Sequence, residues 1–240
     1  MSFLEPLIRT AVLGSVGIGC KLFLRTSVNL TVHNAAVLHR LVMERAGDKP
    51  LLTISNHTST LDDPLIWGAL LPFSIIVAEW GRRMRWTLGA EEVIFTNPLF
   101  RAFFRHGKVL PIRRGEGITQ PAMEMALDLM AGGQWLHVFP EGKVCPDSAQ
   151  LGEKLRWGVG RLVSEAPVKP IVLPIIHRGM ERIRPFEQGW TIRHGESLDI
   201  TVGDPIDMAE HYQELKGENE QLTRRSITWF LQEHMAKYYR

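Results

Sequence analysis

At 240 residues the chain suits one large domain, and 45% hydrophobic with 22% charged residues is an ordinary globular balance that excludes wholesale disorder. A mean hydropathy of −0.06 excludes a polytopic membrane protein, and a net charge of +2 is too small for bulk nucleic-acid binding. Two cysteines, Cys20 and Cys145, are too few for a disulfide scaffold and lack zinc-site spacing.

The first element is apolar. Ala11 to Cys20 carries no charge, and residues 11–24 written as a helix span about 21 Å, short of the roughly 30 Å hydrocarbon core. Arg9, Lys21 and Arg25 are placed to snorkel, so residues 1–27 read as a shallow membrane-associated segment, with a buried core helix as the alternative. No small-residue cleavage site follows the run, which counts against a signal peptide. Glu5 and the apolar character count against a cleaved mitochondrial presequence.

From residue 28 onward strands and helices alternate. Val28 to Val32 is an expected strand, and Asn34 is the expected cap of a helix running toward Arg45. Leu51 to Ser55 is a short apolar strand, and a helix over 63–71 carries Pro64 at an allowed early position. Asn97 to Arg105 predicts a helix and Lys108 to Ile112 a strand. Pro121 to Met130 predicts a helix closed by Gly132 and Gly133. Trp135 to Phe139 and Ile171 to Ile176 are further strands around a helix at 156–165, and Leu198 to Val202 is the last strand expected. A closing helix over 221–239 aligns Ile227, Leu231, Met235 and Tyr238. This rhythm predicts a single α/β domain over 28–240, a mixed, mostly parallel sheet flanked by helices.

Charge is uneven. Between Arg82 and Arg114 lie Arg82, Arg83, Arg85, Arg101, Arg105, Lys108, Arg113 and Arg114, opposed only by Glu91 and Glu92. Such a segment attracts phosphate on a small ligand or a lipid headgroup, or is simply a solvated basic face.

The chemistry centres on Asn56-His57-Thr58-Ser59-Thr60-Leu61-Asp62-Asp63-Pro64. Five residues leave His57 and Asp62 about 140° apart on a helix and on opposite faces of a strand, so only a turn at Thr58-Ser59-Thr60 brings them together. About 0.3 such His–Asp spacings arise by chance in this composition. A second one, His194 and Asp199, has no helix start behind it and reads as structural.

Further motifs follow in order: Gly107 to Arg114 with arginines after a strand, Phe139-Pro140-Glu141-Gly142 at a strand end, and Val172-Leu173-Pro174 within an apolar strand. The set resembles the glycerolipid acyltransferase superfamily. Thr31-Val32-His33-Asn34, Ser55-Asn56-His57, Asp62-Asp63-Pro64, Trp67-Gly68, Met84-Arg85-Trp86-Thr87, Phe139 to Val144, Arg156 to Leu162 and His177-Arg178-Gly179-Met180 are similar to the tafazzin family. The resemblance runs from about residue 28 to the C-terminus. It implies exchange of acyl chains between phospholipids and lysophospholipids, with remodelling of cardiolipin, at mitochondrial inner or outer membranes on the intermembrane-space side.

Acyl transfer to an alcohol needs a base and stabilisation of an oxyanion. His57 suits the base, since an imidazole with an ordinary pKa near 6.5 is partly neutral at pH 7. Asp62 is expected to accept the other N–H and fix the tautomer. No Gly-x-Ser-x-Gly elbow is present, so direct attack by a lysophospholipid hydroxyl is expected. Arg114, favoured by the family pattern just before Gly115, or Arg113, is expected to grip phosphate. Glu141 is expected to bind glycerol or brace the arginine, and Gly142 to let backbone approach substrate. Lys143 adds charge or is surface. Asp63 is expected as a helix cap, and His137 and His177 as satisfied core or rim histidines. Cys145 is expected to be incidental, and Trp80, Trp86 and Trp157 to be packing residues. No cofactor, metal or nucleic acid is expected; the partners are phospholipid, lysophospholipid and a membrane surface. Two alternatives stand: an acyl-CoA-dependent lysophospholipid or glycerol-phosphate acyltransferase, and a lipid-binding scaffold with an idle site.

Overall fold

The apolar runs become the inner strands of one eight-stranded sheet. The computed structural model describes residues 4–146, 155–189 and 191–239. The strands are β1 (Val28–His33), β2 (Leu51–Ser55), β3 (Trp86–Ala90), β4 (Val109–Ile112), β5 (Trp135–Val138), β6 (Ile171–Arg178), β7 (Glu196–Val202) and β8 (Ile206–Asp207). They lie in the order β1-β7-β6-β2-β5-β3-β4, with β8 beside β6. From β6 to β4 every pair is parallel, whereas β7 and β8 run antiparallel to β6. A mixed, mostly parallel sheet is thus observed.

Helices cover both faces, as a parallel sheet requires. Period-two alternation divides the core. Leu51, Trp135, Leu173 and Ile175 meet α1 (Leu4–Ser27), α2 (Ala35–Glu44), α3 (Asp62–Leu70) and α4 (Phe73–Gly81). Leu52, Ile54, Leu136 and Val138 meet α7 (Pro121–Ala131), α8 (Gly158–Glu165) and α11 (Glu220–Ala236). Each fully buried Leu or Ile contributes roughly 1.5–3 kcal/mol. Strand β6 is buried from Val172 to His177 and is therefore sheet core. The remaining helices are α5 (Glu91–Ile94), α6 (Pro98–His106), α9 (Met180–Ile183) and α10 (Met208–Leu215).

Helix α1 is longer than the expected 11–24 segment. Its 24 residues have a mean hydropathy of 1.6 over the most apolar window and span about 36 Å, enough to cross a bilayer. One stripe packs against the domain through glycines. Gly14 lies under Phe73 and Val77, and a β-carbon on Gly68 would sit 2.6 Å from that of Cys20. Lys21 turns inward rather than snorkelling, donating to the Gly68 carbonyl at 3.0 Å. Leu4, Leu7, Ile8, Ile18 and Leu22 remain exposed.

Other expectations change. Asn34 sits at φ 60° and makes no capping bond; its side chain donates instead to the Val202 carbonyl across the sheet. Asn97 does cap α6, accepting the Phe100 N–H at 2.9 Å. Strand β8 follows Val202, so β7 is not the last strand. The basic stretch is partly interior. Lys108 is 1% exposed and donates to the Gly81, Arg82 and Met84 carbonyls around the end of α4. Burial, then the charge of Arg85, holds its pKa well below the ordinary lysine range.

Candidate active site

The parallel strands β2, β5, β3, β4 and β6 all end at one edge of the sheet, where open α/β sheets place their ligands. His57 follows β2, Glu141 follows β5, and Arg113 follows β4. Extending the observed register past the last pairs sets His57, Glu141, Glu91 and Arg113 at one level across β2, β5, β3 and β4. Three strand spacings, about 14 Å, separate the β2 and β4 ends.

The turn at residues 58–61 brings the first pair together. His57 Nδ1 lies 2.8 Å from Asp62 Oδ2, with Asp62 fully buried and the imidazole 18% exposed. The same oxygen accepts the Thr58 N–H at 2.7 Å and the Ser59 N–H at 2.9 Å. Asp62 is the first residue of α3, where the helix dipole favours a carboxylate. Oδ2 accepts from two backbone N–H groups, and in the same arrangement it accepts the Nδ1–H of His57, which leaves the Nε2 lone pair free of Asp62.

Aromatic rings fix the other axis. Phe139 stacks on His57 with centroids 4.1 Å apart and planes at 19°. His137 meets Phe139 edge-on at 4.6 Å, and Trp67 meets His137 edge-on at 4.8 Å. Beneath them Thr53 bonds His137 Nδ1 at 3.0 Å and takes the Trp135 indole N–H at 2.9 Å. Burial pushes His137 down to about 3; Asp63 opposes the shift, while Arg85 and His57 add to it. His137 is thus a neutral core histidine.

The Phe139–Gly142 turn is closed by the Gly142 N–H on the Phe139 carbonyl at 3.0 Å. Gly142 has φ +73°, a conformation that favours glycine. The chain then doubles back, and the Cys145 N–H donates to the His57 carbonyl at 2.6 Å. The main chain at Cys145 is therefore part of the site's frame. Glu141 is 1% exposed, and neither carboxyl oxygen accepts a hydrogen bond of normal geometry. Burial raises its pKa to about 7, opposed by the nearby Cys145 thiol and His57 backbone. Asp62 Oδ1 and Thr58 Oγ1 are likewise buried without partners. Such a cluster calls for an explanation, and donors on a substrate are one.

Asp63 is not a cap. It pairs with Arg85 through both oxygens and accepts the Trp67 indole N–H at 3.0 Å. Burial pushes its carboxyl up, but Arg85, His137 and the Trp67 hydrogen bond together outweigh that and the net shift is downward. Arg113 bonds Glu91 at 2.6 Å and lies 3.7 Å from Glu116. Arg114 is 3.6 Å from Glu92 and half exposed. Both stand on the rim, paired to α5 rather than to His57. Asp199 pairs with His33 at 3.2 Å, not with His194, whose ring packs near Phe23.

Sequence reasoning missed Asn56, Phe139 as a stacking partner, and Tyr239. The Tyr239 hydroxyl is buried without a partner, and burial, then the charge of Glu141, raises its pKa. The motif Asn-His and the Phe before Pro140 were local signals; Tyr239 carried none. Among the described residues no group of three or more His, Cys, Asp or Glu is placed to hold a metal ion.

Residues 29–178 match the sequence family described as Acyltransferase, so the chain belongs to that family. Within it, the chain belongs to the tafazzin family of the glycerolipid acyltransferase superfamily. It is 38% identical to Tafazzin of Drosophila melanogaster over 92% of this chain and 58% of that protein. It is 40% identical to Taffazin of Dictyostelium discoideum over 80% of this chain and 67% of that one. An N-acylphosphatidylethanolamine synthase of Arabidopsis thaliana is 45% identical over 74% of this chain and 63% of its own length. The chain thus spans about three fifths of the length of the Drosophila and Arabidopsis relatives. The fold matches that of the Thermotoga maritima 1-acyl-sn-glycerophosphate acyltransferase PlsC, with a TM-score of 0.65 at 18% identity, covering 96% of this chain and 78% of that one.

Proposed function

We propose that the chain is a membrane-bound phospholipid–lysophospholipid transacylase that remodels the acyl chains of cardiolipin and related phospholipids. The observation that carries the proposal is the 2.8 Å His57–Asp62 pair beside the unpartnered Glu141 carboxyl. The lysophospholipid hydroxyl gives its proton to His57 Nε2 as its oxygen attacks the donor's ester carbonyl. Asp62 stabilises the imidazolium that forms. When the tetrahedral intermediate collapses, the bond to the donor's glycerol oxygen breaks and that oxygen takes the proton back. Ester is exchanged for ester, so no activated thioester is needed. In this reading Glu141 binds the acceptor's glycerol, Gly142 admits it closely, and Arg114 or Arg113 holds phosphate at the rim.

Two exposed apolar surfaces support a membrane site of action. Helix α6 presents Leu99, Phe100 and Phe103 with Arg101 and Arg105 on the same short helix, and α1, which packs beside it, presents Leu4, Leu7 and Ile8. Apolar side chains edged by arginines suit a lipid surface. The tafazzin relatives support a mitochondrial membrane as the location.

A second reading is favoured by the Arabidopsis relative: the acceptor is the amine of phosphatidylethanolamine and the product an amide. The same base serves both acceptors. One assay separates the readings. Purified protein is mixed with vesicles holding labelled-acyl phosphatidylcholine, a lysophospholipid and phosphatidylethanolamine, with and without acyl-CoA. The proposal expects label in the lysophospholipid product without acyl-CoA, abolished by His57→Ala. Strict dependence on acyl-CoA, or equal transfer by His57→Ala, overturns it. Label only on the ethanolamine nitrogen selects the second reading.

A further inference from the structure

A second histidine stands against the catalytic aspartate, 120 residues downstream of the first. His177 is the penultimate residue of β6, and extending the β2–β6 register by two pairs sets it opposite His57. The ladder does not continue as backbone there. Asn56 replaces it: its side-chain amide donates to the His177 carbonyl at 2.9 Å, and its side-chain oxygen accepts the His177 N–H at 3.0 Å. The imidazole closes the bracket, with Nε2 2.9 Å from the Asn56 carbonyl. A carbonyl only accepts, so Nε2 carries a hydrogen. That nitrogen also lies 3.5 Å from Asp62 Oδ2, the oxygen that holds His57. Nδ1 has no partner, and the residue is 1% exposed.

We infer that His177 is a positioning residue for the base: it fixes the end of β2 through Asn56, and its single Nε2–H, donated to the Asn56 carbonyl, lies close enough to Asp62 Oδ2, at 3.5 Å, to add its positive edge to the Thr58 and Ser59 N–H groups around the oxygen that orients His57. The inference rests on the proposed reaction for its kinetic readouts only. A buried, unpaired imidazole nitrogen costs stability, and a residue kept merely to fill the core would serve better as Phe or Leu. Among the described residues His177 bonds Asn56 and neighbours Asp62, and it is 1% exposed, so its part is positional.

The titratable groups facing this cluster are His57 and Asp62 from the turn after β2, Glu141 after β5 with Tyr239 against it, and His137 with Asp63 and Arg85 beneath. Burial pushes the Glu141 carboxyl up to about 7, so pH profiles are taken in wild type and in a Glu141→Gln background, where that carboxyl is absent. His177→Phe keeps the volume and deletes the N–H; His177→Gln keeps a donor for the Asn56 carbonyl. His177→Phe is expected to lower kcat about tenfold with KM for lysophospholipid unchanged, since only transition-state positioning is lost. With one N–H edge fewer, Asp62 draws the His57 proton more tightly, and the acid limb of kcat/KM moves to higher pH. His177→Gln is expected to restore most of both. In an Asp62→Asn background the His177→Phe loss is expected to vanish, because coupled residues are not additive. The low-field proton NMR signal of His57 Nδ1–H is expected to shift in His177→Phe. An unmoved pH limb, full additivity with Asp62→Asn, or an unmoved His57 signal overturns the inference. If the wild type transfers no acyl chain from any donor, the proposed reaction fails and the NMR signal alone decides the positioning role.

Discussion

Two of the His–Asp pairs among the described residues, His57–Asp62 and His33–Asp199, differ in everything except their side chains. His57 and Asp62 meet at 2.8 Å with exposures of 18% and 0%, and the carboxylate takes two backbone N–H groups besides. His33 and Asp199 meet at 3.2 Å on the outermost two strands, 53% and 46% exposed. The first pair has one imidazole nitrogen pinned by a buried carboxylate that two backbone N–H groups also hold. The second is half exposed to water, where such a pair is worth roughly 0–1 kcal/mol. In the proposed reaction it is the burial and the backbone donors around His57–Asp62, not the pairing itself, that suit it to act as a general base.

The contrast is broken most severely at His57. His57→Ala is expected to reduce acyl transfer by about a thousandfold or more, with thermal melting unchanged; a loss under tenfold would put the two pairs on the same footing. Glu141→Gln comes next, with transfer down about a hundredfold if its carboxyl binds the acceptor through charge-assisted bonds. Its stability should move the other way. The Glu141 carboxyl goes from an ordinary 4.5 up to about 7 in the folded chain, so the folded state binds more protons between those values. Stability therefore falls as pH rises through that window and stays lower above it. Glu141→Gln should melt higher at pH 8 by the equivalent of about 1–3 kcal/mol, with the gain gone below pH 4.5. Calorimetry at the two pH values checks the sign.

Smaller effects sharpen the comparison at the rim. Arg114→Ala is expected to raise KM for lysophospholipid about tenfold with little change in kcat, and Arg113→Ala less, because Arg113 is already held by Glu91 and Glu116. Equal KM in both variants would remove the rim arginines from substrate binding. At the bottom of the scale, His33→Ala and Asp199→Asn should change transfer by less than about twofold and stability by less than about 1 kcal/mol.

How much of this was legible depended on whether the deciding contact was local. Continuous apolar runs marked β2, β5 and β6 because strands buried on both faces need no alternation. Strand β3, Trp86-Thr87-Leu88-Gly89-Ala90, escaped because glycine and alanine dilute its signal; Gly89 is there because Ile94 and Val109 crowd it, with a β-carbon 2.3 Å from Ile94 Cδ1. Helix α10 was too polar to announce itself. In the site, the turn between His57 and Asp62 could be deduced from a five-residue spacing alone. That Arg113 and Arg114 answer to Glu91 and Glu92 depended on β3 lying beside β4, and that His177 faces Asp62 depended on β6 lying beside β2. Neither adjacency is written in spacing.

The central claim is that the buried carboxylate makes His57 a base. Its most direct test is the rate of CoA-free acyl transfer by Asp62→Asn at pH 8, beside wild type and with folding checked by melting. The account predicts a fall of at least about a hundredfold, because an amide cannot hold the Nδ1–H tautomer or stabilise the imidazolium. A folded Asp62→Asn protein that transfers within tenfold of wild type would contradict it.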